Sequence, residues 1–72
     1  MNSANKNQET ASGIIVEALP EAMFMVKMED GQEKLSYLAG KMKIHRIKVL
    51  VGDKVEMIID PYGGKARIFK RL

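Results

Sequence analysis

The chain has 72 residues, no cysteine, a single histidine and a formal net charge of +3. A chain of this length makes one small domain, which buries only about 60% of the surface its unfolded form exposes. Disulfides and thiolate metal sites are excluded, and no apolar run approaches the roughly 20 residues of a bilayer-crossing helix. Stability must come from efficient closure of backbone hydrogen bonds, which a small barrel provides. The lack of cysteine fits a reducing compartment.

Charge is unevenly spread. Residues 1–36 carry three cations against six acids, a net −3, whereas residues 37–72 carry nine cations against Asp53, Glu56 and Asp60, a net +6. One acidic and one basic half give the domain a preferred face for a polyanion. The bland alternative is that the charge serves solubility alone.

Residues 1–12 are rich in Asn, Ser and Gln and lack the hydrophobic region of a secretory signal. They are expected to form a disordered tail ahead of a domain at residues 13–72. Ile14, Val16 and Ala18 alternate with Ile15 and Glu17 until Leu19-Pro20 ends a first strand, because proline cannot donate to a ladder. In Met23 to Glu29, Phe24, Val26 and Met28 face one way, with Met25, Lys27 and Glu29 facing the other. Asp30-Gly31 then predicts a tight hairpin into a third strand at about Gln32 to Ala39. Leu35 and Leu38 break strict alternation there, which predicts a bulge or bend.

Gly40 to His45 has helix formers and little strand character, and reads as one helical turn. Within Gly40 to Lys48, the cations Lys41, Lys43, Arg46 and Lys48 alternate with large apolar residues expected to anchor into the core. Charge held this way has fixed geometry, which docking on phosphates requires. Gly52-Asp53 marks another turn. Val55, Met57 and Ile59 form the inward face of a fourth strand ended by Asp60-Pro61. The last strand, Lys65 to Arg71, turns Ala66 and Ile68 inward and Arg67, Phe69 and Arg71 outward. Five short strands with a helical turn between the third and fourth predict an all-β, five-stranded OB-fold barrel. An SH3-like barrel is the nearest competitor.

The ladder of Arg67, Phe69 and Arg71 can stack a base on the ring while the arginines grip adjoining phosphates. The competing reading makes Phe69 core and bends the strand near its end. His45 has no partner cysteine or neighbouring carboxylate and is a poor metal ligand; it contacts RNA or caps the short helix. Tyr37 and Tyr62 either stack on bases or cover the barrel mouth, with Tyr62 the better placed beside its turn. The methionines read as adaptable core filler, except that Met25 should project outward. No Ser-His-Asp or Cys-His set is available, and Gly63-Gly64 does not spell a phosphate-binding loop. The expectation is a protein that is not an enzyme and needs no cofactor or metal.

Three ordered blocks resemble bacterial translation initiation factor 1: Val16–Val26, Gly40–Val55, and Asp60-Pro61-Tyr62 with Arg67-Ile68. The resemblance runs from about Gly13 to Arg71. It implies a single OB-fold that binds the small ribosomal subunit at the decoding A site, contacting 16S ribosomal RNA (rRNA) and a neighbouring ribosomal protein. There it would block premature tRNA entry and assist the other two initiation factors, as a cytoplasmic monomer without membrane association. In a eukaryotic source the location would be an organelle stroma or matrix. By resemblance Lys41, Lys43, Lys48, Arg67 and Arg71 carry rRNA contacts, and His45, Arg46, Tyr62, Lys65 and Phe69 complete the expected set.

The chain also departs from the family. Met25 stands where arginine is usual, Tyr37 replaces a histidine, and Arg46 falls where tyrosine or another polar residue is common. The Gly63-Gly64-Lys65-Ala66 loop is one residue short and lacks the usual acid and hydroxyl. The last strand's aromatic comes one position early, as Phe69. Two other readings remain: a free single-stranded RNA chaperone of the cold-shock type, and a protein-interaction barrel whose basic face meets an acidic partner. The residues expected outward on strand two (Met25, Lys27, Glu29) lack the aromatic cluster of the former.

Overall fold

Pro20, Gly31, Gly52 and Gly63 punctuate the chain, and the three glycines all adopt positive φ. The computed structural model describes residues 9–72. The elements between these breaks are β1 (Glu9–Leu19), β2 (Met23–Met28), β3 (Glu33–Leu38), α1 (Gly40–Ile44), β4 (Lys54–Ile59) and β5 (Ala66–Arg71). The strands close in the order β1-β2-β3-β5-β4, with β4 returning to β1. Every pairing is antiparallel except β3 with β5. This is the predicted OB-fold, helical turn included.

β1 is long because it serves two neighbours. Its first half pairs with β4 from Glu9↔Ile59 to Ile14↔Lys54, and its second half pairs with β2 from Gly13↔Met28 to Leu19↔Met23. Residues 9–12, expected in the disordered tail, are therefore strand. β4 offers them a row of backbone partners that the local sequence does not reveal; residues 1–8 lie outside the described residues. The hand-over occurs at Gly13, where a Cβ would lie 2.5 Å from Val26 Cγ1 and 2.7 Å from the Lys27 carbonyl oxygen. Just beyond, the register skips Val16, a β-bulge that bends β1 around the barrel.

Ile15, Val26, Val55, Met57, Ala66 and Ile68 are fully buried, and Phe24, Met28, Leu38 and Ile59 pack against them. A large aliphatic side chain so buried contributes about 1.5–3 kcal/mol. The inward faces predicted for β2 and β4 are those observed. β3 differs from expectation: its register against β2 is unbroken from Met23↔Tyr37 to Lys27↔Glu33. Its buried residue is Ser36, paired with the small Ala66 on β5, and the hydroxyl donates to the Lys34 carbonyl at 3.2 Å. A polar residue at a core position disguised a regular strand. The hairpin before it is also slightly wider than a two-residue turn. Gly31 N–H closes on the Met28 carbonyl at 3.0 Å, Met28 N–H donates to the Gln32 carbonyl at 2.7 Å, and only Gly31 takes positive φ there.

Candidate nucleic-acid interface

A five-residue helix is unstable by itself. α1 is held by burial of Met42 and by a closing motif at its carboxyl end. Ile47 N–H donates to the Met42 carbonyl at 2.9 Å and Arg46 N–H to the Lys43 carbonyl at 3.1 Å. This crossed pair is a Schellman motif, with Arg46 at the left-handed position (φ 55°) where glycine is usual. His45 is the C-cap residue, its N–H bonded to the Lys41 carbonyl; its side chain is exposed. At the other end Ala39 N–H donates to the Ile68 carbonyl at 2.8 Å, fastening the helix start to β5.

Lys41, Lys43, Arg46 and Lys48 are all exposed, as the sequence predicts. Their apolar neighbours depart from the prediction. Only Met42 and Val49 are buried, while Ile44 is 78% and Leu50 67% exposed. A helix of one turn has room for one inward side chain, and Met42 takes it. Arg71 joins the group by donating from Nη1 to the Lys48 carbonyl at 3.0 Å.

The ladder expected on β5 is broken. Glu56 pairs with Lys70 and Met57 with Ile68, so Phe69 is the extra residue of a second bulge. Phe69 is half-buried, outside both the buried core and the apolar residues packed on it. The bulge shifts the register, and Lys70, which the sequence reading passed over, shares the outward face with Arg67. Alternation assigned that place to Arg71; the competing reading of a strand bent near its end matches the bulge, although Phe69 does not join the core.

Tyr62 projects from the β4–β5 loop at 94% exposure. Asp60 organises that loop: Oδ1 accepts from Tyr62 N–H at 2.9 Å, Oδ2 from Gly64 N–H at 3.0 Å, and its carbonyl from Gly63 N–H at 3.1 Å. A Cβ at Gly64 would collide with Asp60 Oδ2, and Gly63 takes a positive φ of 84°, which together account for the paired glycines. Lys65 and Arg67 border an open depression of 300 Å³ with Tyr37 and Asp60. Tyr37 is the register partner of Arg67 on parallel β3, a neighbour that sequence spacing does not disclose.

The expected site residues thus fall into two groups joined by β5. Because β5 runs parallel to β3, its end lies beside α1, and its start lies at the opposite end of the barrel. Lys41, Lys43, His45, Arg46, Lys48 and Arg71 cluster at one end, Tyr62 and Lys65 at the other, and Arg67 lies between. From Lys65 to Arg71 the strand rise gives roughly 20 Å. The exposed cations thus form two separated groups, and separated positive charge suits a polymer of regularly spaced phosphates. Among the described residues no group of three or more His, Cys, Asp or Glu is placed to hold a metal ion, and no helix is long and apolar enough to cross a membrane.

Comparison with known proteins agrees with the fold. Residues 1–72 match the family described as translation initiation factor 1A / IF-1. Over 60 residues, 82% of its length, the chain is 47% identical to translation initiation factor IF-1 of Rhodospirillum rubrum, and the match spans 63% of that relative. The solution structure of the same initiation factor from the Wolbachia endosymbiont of Brugia malayi superposes with a TM-score of 0.78 at 28% identity, covering 99% of this chain and 85% of that one. YjeQ from Thermotoga maritima superposes with a TM-score of 0.74 at 31% identity, over 89% of this chain but only 23% of that one.

Proposed function

The chain belongs to the translation initiation factor 1A / IF-1 family, and from that premise we propose that it acts as a translation initiation factor on the small ribosomal subunit. It docks at the decoding A site through 16S rRNA and beside a neighbouring ribosomal protein. Occupying that site, the barrel blocks premature tRNA entry and assists the other initiation factors. It works by binding alone, as a cytoplasmic monomer, with no catalytic step. In a eukaryotic source the compartment would be an organelle stroma or matrix.

The observation that carries this reading is the cluster of exposed cations on α1 and the segment after it, held on a rigid frame. α1 is fastened at both ends, and Arg71 is tied back to Lys48. Long-range attraction brings the two surfaces together, and fixed charges then select the geometry of the phosphates. Against a cold-shock-type chaperone, β2 offers Met25 and Lys27 on its outer face, with no ring for bases to stack on.

Co-sedimentation with purified small subunits tests the proposal. The triple variant Lys41→Gln, Lys43→Gln, Lys48→Gln should bind more weakly. It should also lower the slope of log affinity against log salt by roughly 0.7–0.9 per lost phosphate contact. Unchanged affinity and slope would show that this block does not dock on RNA.

A further inference from the structure

One surface remains unexplained by docking on RNA. Between α1, the ends of β2 and β3, and the segment that follows α1 lies an open trough of 460 Å³. Phe24, Leu38, Met42 and Val49 line it from the core side, while the partly exposed Ile47 and the exposed Leu50 stand at its margin. The remaining lining residues are Lys43, Arg46 and Lys48, and none is acidic. Ile44 and Val51, 78% and 58% exposed, extend the apolar surface along the same segment. An apolar groove rimmed by charge, with further exposed aliphatic side chains in the same segment, is a candidate interaction surface.

Two features decide the occupant. Aliphatic and thioether side chains do not stack nucleobases, and RNA recognition draws its apolar energy from aromatic platforms. The trough has one ring, Phe24, and that ring is engaged with the core. Its cationic margin calls for negative charge immediately beside apolar side chains, the pattern of an acidic amphipathic peptide laid into a groove. Met42, unbranched and flexible, can adjust to the side chains that enter. We propose that this trough binds an acidic amphipathic segment of a partner protein, whose bulky apolar residues sit between Leu38, Ile47 and Leu50. Its carboxylates meet Lys43, Arg46 and Lys48. The site shares Lys43, Arg46 and Lys48 with the candidate RNA interface, so peptide and RNA compete there, but its aliphatic contacts belong to the peptide alone.

The test uses the full chain and a fluorescein-labelled synthetic helix-forming peptide with glutamates on one face and leucines and phenylalanine on the other. A scrambled peptide of the same composition and an oligouridine serve as comparisons. The patterned peptide should bind saturably and shift the methyl resonances of Leu38, Ile47 and Leu50. Leu50→Ser should weaken it about tenfold or more, as burial of a leucine side chain implies, while leaving oligouridine binding unchanged. Lys65→Gln with Arg67→Gln should do the reverse. If Leu50→Ser lowers stability, the methyl shifts of the unaltered chain decide. Equal binding of the scrambled peptide, no saturable binding below about 1 mM, or trough methyl shifts with oligouridine and not with the peptide would each overturn the proposal. None of those results bears on small-subunit binding, which the Lys41, Lys43 and Lys48 substitutions test separately.

Discussion

Arg71 donates from Nη1 to the carbonyl oxygen of Lys48 at 3.0 Å, tying the last strand to the segment that leaves α1. An arginine expected to point at a ligand thus also shapes the surface that carries it. Arg71→Lys keeps the charge but gives up the planar donor geometry. Loss of one exposed hydrogen bond is worth about 1 kcal/mol. Amide exchange across residues 46–50 should accelerate several-fold, with the salt slope of subunit binding unchanged. Identical exchange in both proteins would mean that the Schellman bonds alone hold the segment.

Arg46 sits at φ 55°, a conformation that costs a residue with a Cβ roughly 1–2 kcal/mol. Arg46→Gly should therefore raise Tm by about 4–8 °C per kcal/mol recovered in a domain of this size, while weakening subunit binding by one charge. Arg46→Ala is the control, losing the charge and retaining the strain. Thermal unfolding of the two variants separates stability from docking. Equal Tm values would show that the left-handed residue stores no strain.

What the sequence made readable, and what it hid, follows from the range of the interactions. The inward faces of β2 and β4 were legible because Phe24, Val26, Met28 and Val55, Met57, Ile59 recur at every second position with the charged Lys27 and Glu56 among the residues between, a pattern set by the strand itself. The turns were legible because glycine and proline act on their own backbone. The bulge at Val16 was not, and the one at Phe69 stood only as the competing reading of a bent strand end, since each is a mismatch between two strands and belongs to neither alone. Ser36 lies in the core because β3 meets β5 at Ala66, a pairing between distant segments. The same holds at the candidate interface. The cations could be listed from the sequence, but their division between two ends of the barrel follows from β5 running parallel to β3.

Asp60 holds the loop that carries Tyr62 through its carboxylate, which accepts from the Tyr62 and Gly64 backbone N–H groups at 2.9 and 3.0 Å. Asp60→Ala removes both acceptors and should cost about 1–2 kcal/mol. If Tyr62 contributes to subunit binding only when the loop is ordered, Asp60→Ala and Tyr62→Ala will be strongly non-additive. A double-mutant cycle on subunit affinity measures this. Simple additivity would assign Asp60 a purely structural role.

Gly13 is the point where β1 passes from β4 to β2, and everything downstream depends on that crossing. Two residues on, Ile15 accepts from Gly52 N–H at 2.7 Å and donates to the Asp53 carbonyl at 3.0 Å, fixing the turn between α1 and β4. Gly13→Ala would place a methyl 2.5 Å from Val26 Cγ1 and 2.7 Å from the Lys27 carbonyl oxygen. The first neighbour is a side chain that Val26→Ala removes; the second is backbone and remains. Gly13→Ala should therefore destabilise by about 1–3 kcal/mol or more in urea unfolding, as overpacking of a filled core does. Combining it with Val26→Ala should cost less than the sum of the single changes, yet leave Gly13→Ala still harmful in a chain that already carries Val26→Ala. The turn at residues 50–53 should loosen with it, measured as faster exchange at Gly52 N–H. A Gly13→Ala protein within about 0.5 kcal/mol of the original, the range of an ordinary surface change, would mean that β1 can cross there without the close approach.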